Sequence, residues 1–97
     1  MVVELTPFLG TVAQEFQLSE ADLVRHGVRA FVERQLLQVN AQVLEITGRY
    51  RVASVAEMDA QYQVGTLAES GSWRDYQRLD HLEFERDRLR GLFEALA

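Results

Sequence analysis

At 97 residues, with 47% apolar and 26% charged side chains, the chain has the makeup of one folded domain and not of a disordered segment. It has no cysteine, which excludes disulfides and thiolate metal sites. Its net charge of −5 is opposite to the basic footprint of a general nucleic-acid binder.

The opening Val2-Val3-Glu4-Leu5 is short and β-favouring. It lacks the basic start and long apolar core of a signal peptide, and no apolar run approaches the roughly 20 residues that span a bilayer. A cytoplasmic protein with no membrane partner is expected. Thr6-Pro7 reads as an N-cap followed by proline at the first helical position. The helix it opens is expected to run to about Gln17, with Phe8, Val12 and Phe16 on one face.

Ser19 and Asp22 form an acidic variant of the capping box. The run it opens contains no proline and extends through Tyr50. Leu23, Val24, Val28, Phe31 and Val32 give its first half a broad apolar face, and the second half narrows to Leu36, Val39, Val43, Ile46 and Tyr50. That spacing is a coiled-coil-like seam that another helix must cover. Gly27 marks a place for close backbone approach, and Gly48 a place for the helix to stop, with fraying through Tyr50. The expected span is 20–48.

Ser54-Val55-Ala56-Glu57 is a second capping box, opening a short helix 55–64 with Val55, Met58, Tyr62 and Val64 apolar and Gly65 beyond its end. Ser72-Trp73-Arg74-Asp75 caps a last helix, 73–96, whose stripe is Tyr76, Leu79, Leu82, Leu89, Phe93 and Leu96, interrupted by Arg86. The expected fold is therefore all-α: a long helix and an antiparallel return helix forming a helical hairpin over 36–97, with a short connecting helix. An N-terminal arm and helix within 1–35 form a dimerisation-like segment of the same single domain. The apolar faces exceed what one flat hairpin buries, so a homodimer is expected, with Val24, Val28 and Phe31 at its interface.

Catalytic constellations are sparse. His81 and Glu85 stand four residues apart on one helix, but two ligands do not make a zinc site, and His26 is remote from both. Ser19, Ser54 and Ser72 all read as helix caps, and neither a nucleophile elbow nor a phosphate-cradling loop occurs. Carboxylates pair with arginines at i, i+3, as in Asp75 with Arg78, Glu83 with Arg86, Glu85 with Arg88 and Asp87 with Arg90, the pattern of a solvated helix face. A non-enzymatic protein without cofactor or metal is expected. Trp73 and Tyr76 read first as core that clamps the connector and second as interface anchors.

A short strand, a helix of about eleven residues, a tight turn and a second amphipathic helix resemble a ribbon-helix-helix DNA-binding domain. The strand here offers no basic or amide side chain to base edges, and Glu20 and Asp22 stand where a phosphate would sit. Residues 1–50 hold arginines 25, 29, 34 and 49 against acids 4, 15, 20, 22, 33 and 45. This pattern is compatible with dimerisation and speaks against DNA binding.

From residue 19 onward three stretches stand out: RHGVRAFVERQL, GRYRVASVAEMDAQYQVG and SWRDYQRLDHLEFERDRL. They combine a long helix, a Tyr-x-Val-x-Ser turn into a short helix, and a Trp-x-Asp-Tyr-x-x-Leu-Asp start to the last helix. In this they resemble a group of small helical proteins encoded beside toxin genes in bacteria and archaea. The resemblance implies an antitoxin-like role: covering a cognate toxin, often a ribonuclease whose active surface is basic, with an acidic helical partner. The last helix is then the partner-binding element, and Trp73, Tyr76, Asp80, Glu83 and Asp87 are its candidate contact residues. The other expectations are a transcriptional regulator of ribbon-helix-helix type and a scaffold subunit of another complex.

Overall fold

The computed structural model describes residues 5–97. It is all-α, with four helices in chain order: α1 (Thr6–Glu15), α2 (Glu20–Tyr50), α3 (Val55–Val64) and α4 (Trp73–Ala95). The β-favouring start at 1–4, and with it the strand of the ribbon-helix-helix resemblance, lies outside the described residues.

Local chemistry sets most helix boundaries. The Ser19 and Ser54 side chains accept from the backbone N–H of Asp22 and Glu57, opening α2 and α3 as expected. Glu57 reaches back to the N–H of Ala53 at 3.2 Å, which satisfies a further donor at the helix start. Gly65, at φ 78°, ends α3 in the left-handed region where a glycine carries no Cβ penalty.

Three boundaries differ from the sequence reading. Thr6 is already helical and Leu5 occupies the cap position without a side-chain cap bond. The same helix closes two residues early, at Glu15: Gln17 turns left-handed at φ 58°, and Leu18 N–H bonds back to Ala13 O at 2.8 Å. Gly48 does not stop α2. An interior glycine costs only about 1 kcal/mol relative to alanine, and the helix continues to Tyr50, where Arg51 turns left-handed at φ 54° and Val52 N–H bonds to Thr47 O.

The hairpin forms as the two seams predict. α4 returns antiparallel along α2, with Asp75 beside Arg49, Arg78 bonded to Gln42, and Arg29 stacked 4.5 Å from the centre of the Phe93 ring. The core sits at the closed end: Val43 and Ile46 of α2, Val52 of the turn, Met58 of α3, and Leu79 and Leu82 of α4. Val39, Tyr50, Val55, Tyr62, Leu67 and Tyr76 pack around it. Val64, read as part of the short helix's apolar side, instead faces solvent.

α1 packs on the start of α2 and buries a single residue, Ala13. The result is an elongated molecule of 61 × 31 × 17 Å with a radius of gyration of 19.7 Å, against about 12.5 Å for a compact domain of this length.

Candidate protein-binding surfaces

Polar ties lock the closed end of the hairpin. The Tyr50 hydroxyl donates to Asp75 Oδ2 at 2.5 Å, and the Arg49 guanidinium donates to the same oxygen at 2.7 Å. The hydrogen bond from Tyr50, together with Arg49, holds the Asp75 carboxyl below its ordinary value. The same bond to Asp75 raises Tyr50 above its own. Glu83 accepts from the N–H of Val55 at 2.7 Å, placing a carboxylate at the positive end of α3.

Ser72 is buried and does not cap α4, which corrects the sequence reading. Its backbone is already helical because Ser72 and Trp73 N–H both bond back to Glu69 O. Its hydroxyl donates to Ala68 O at 2.6 Å and meets the Tyr62 hydroxyl at 2.6 Å. Asp75, the expected partner in the capping box, is instead bonded to Tyr50 and Arg49.

These ties also revise the picture of a uniformly solvated α4. Of the four predicted i, i+3 pairs only Glu85–Arg88 forms, at 3.2 Å. Asp75 and Glu83 join separate elements instead, and Arg86 meets its neighbour Asp87 at 3.4 Å. His81 and Glu85 come within 3.9 Å, and no group of three metal-ligating side chains gathers among the described residues.

The five candidate contact residues of α4 therefore separate into two sets. Tyr76 is half-buried, edge-on to Tyr62 at 5.5 Å, and Glu83 is half-buried against α3. Both serve the interior of the hairpin. Trp73, Asp80 and Asp87 face outward. Trp73 stacks on Tyr76, one turn further along the same helix, at 5.1 Å while remaining 46% exposed, so much of its ring stays open to solvent.

The sequence reading missed a fourth residue of this outer ridge, Phe84, which is 65% exposed. Positions 73, 80, 84 and 87 lie along one helix face at 3.6 residues per turn. Trp73 and Phe84 are thus about 16 Å apart with Asp80 between them, and Asp80 forms no ion pair among the described residues. The signal for Phe84 was available: it is a large aromatic outside the apolar stripe.

A second surface lies at the other end of the molecule. An open groove of about 420 Å³ is walled on one side by Leu5, Phe8, Leu9 and Val12. Its other wall is Leu23, Val24, Gly27 and Val28 of α2. The expected dimer residues Val24 and Val28 line it, 47% and 46% exposed, and Phe31 stands one turn beyond, more exposed still.

An all-α helical hairpin with an appended N-terminal helix is thus the class of molecule, and among the described residues no helix is long and apolar enough to cross a membrane. The chain belongs to the family described as "Uncharacterized protein MJ0235 family", whose model matches residues 1–97. Neither the curated proteins nor the solved structures give a significant match to it.

Proposed function

We propose that the protein is a non-enzymatic interaction module of antitoxin-like kind, which binds and neutralises a basic toxin through the outer ridge of α4. The observation that carries this reading is the ridge itself. Trp73 and Phe84, two exposed aromatics, flank Asp80 on a helix whose opposite face is fixed in the hairpin core. Aromatic anchors with adjacent charge are the composition of binding hot spots. The net charge of −5 favours fast encounter with a basic partner such as a ribonuclease. The resemblance of residues 19–97 to antitoxin-like proteins points the same way.

The test is co-expression with the product of the adjacent reading frame. Growth arrest by that product, relieved by this chain and no longer relieved by Phe84→Ala with Asp80→Lys, supports the proposal. A neighbour that is harmless alone, or relief that survives both substitutions, overturns it.

A further inference from the structure

We infer that the groove between α1 and the start of α2 is closed by a second copy of this chain, making the protein a twofold homodimer through its N-terminal third. Four observations converge on this occupant.

The first is area. The chain exposes 7403 Å², whereas a folded monomer of 11.1 kDa exposes about 5,700 Å². The excess, about 1,700 Å², is spread over the elongated chain and exceeds the roughly 1,000 Å² per partner at which obligate homodimer interfaces begin.

The second is charge. Two chains of net charge −5 repel each other at most of their surfaces, but among the described residues no charged side chain lines the groove. A basic partner would find nothing there to pair with, whereas a second copy meets it without repulsion.

The third is Gly27. Of the mid-helix glycines at which an added Cβ meets nothing within 4 Å among the described residues, Gly27, Gly48 and Gly91, Gly27 alone lines the groove. A helical glycine costs about 1 kcal/mol relative to alanine, and no contact among the described residues requires it at 27. A second backbone crossing close by supplies the requirement. Antiparallel packing of two α2 segments about Gly27 sets Phe31 of each chain opposite Leu23 of the other, with Val24 beside it.

The fourth is α1 itself. A ten-residue helix is marginal alone, and this one buries only Ala13. A second copy covers the exposed side of Phe8 and Val12.

The inference is independent of the antitoxin-like reading, and the test separates the two. Light scattering on the purified full chain is expected to give twice 11.1 kDa. Val28→Glu on one wall and Phe8→Asp on the other are expected to weaken association by about 30-fold or more. Both positions are already exposed in the single chain, and far-UV circular dichroism verifies that α2–α4 stay helical. Gly27→Ala, whose Cβ meets nothing within 4 Å among the described residues, weakens the dimer in the same assay. Phe84→Asp on the α4 ridge leaves it intact. A wild-type monomer overturns the inference, and so does a dimer that resists all three groove substitutions or dissociates only with Phe84→Asp.

Discussion

The hydroxyl of Tyr50, the last residue of α2, donates a 2.5 Å hydrogen bond to Asp75 in the first turn of α4. The two stand 25 positions apart in the chain, with the turn and short helix between them, so this bond and that of Arg49 to the same oxygen fix where the return helix begins. Replacing Tyr50 by phenylalanine removes one hydrogen bond and lowers stability by roughly 1 kcal/mol, readable in urea titrations at neutral pH.

The same pair predicts a pH window. The folded carboxyl of Asp75 is held below its ordinary 3.8 by the Tyr50 hydroxyl and Arg49, so its stabilisation is present above that pH and is lost as pH falls below it. Tyr50 is raised above 10.0 by its bond to Asp75. Its stabilisation is therefore present below pH 10.0 and is lost as pH rises beyond. Thermal unfolding across pH should show a plateau between these limits. Tyr50→Phe should flatten both edges, with part of the alkaline loss persisting through Tyr76, which burial also raises.

Glu83 fastens α3 to α4 through the N–H of Val55. Glu83→Ala leaves that donor at a helix start without its carboxylate and should cost about 1–2 kcal/mol. Glu83→Gln keeps an acceptor and loses only the charge at the positive helix end, costing a few tenths to 1 kcal/mol. The order Ala worse than Gln, measured by denaturant midpoints, separates the capping role from simple surface charge, under which the two would match.

Arg51 occupies a left-handed conformation without being glycine, a strain of about 1–2 kcal/mol partly offset by the greater unfolded-state freedom of glycine. Arg51→Gly should therefore stabilise the chain by about 0.5–1 kcal/mol and raise its Tm by a few degrees. Gly65→Ala, at a φ of 78°, should do the reverse. Calorimetry on the two variants decides it.

Signals confined to a few residues were readable in advance. Ser19 with Asp22 and Ser54 with Glu57 cap as their spacing implies, and the seams from Leu36 to Tyr50 and from Tyr76 to Leu96 meet in one hairpin. What failed depended on distant partners. Ser72 and Asp75 have the spacing of a capping box, yet Tyr62 and Tyr50 claim their side chains from other elements. Glu83 matched an ion-pair pattern with Arg86 and instead serves a helix start 28 residues away. The end of α2 was misplaced because Gly48 is a weak stop and Arg51 carries no sequence signature of the left-handed turn it makes. Phe84 escaped because attention to the buried stripe leaves the opposite face unread.

Leu79 and Phe84, five residues apart on α4, give the sharpest separation of interior from interface. Leu79 is fully buried against Val43, Ile46 and Met58, whereas most of the Phe84 ring lies in solvent. Leu79→Ala removes packed methyl groups and opens a cavity, at a cost of about 2–5 kcal/mol. Phe84→Ala removes a ring with few neighbours to lose and should shift stability by no more than about 0.5 kcal/mol. If the outer ridge of α4 anchors a protein partner, binding responds oppositely: Phe84→Ala weakens the complex by at least about tenfold while the free protein unfolds as wild type. Leu79→Ala, studied at a temperature where it remains folded, retains affinity because it leaves the ridge in place. Denaturation and partner titration on the same two variants test this, and a Phe84→Ala chain that loses stability but not affinity would return Phe84 to the interior.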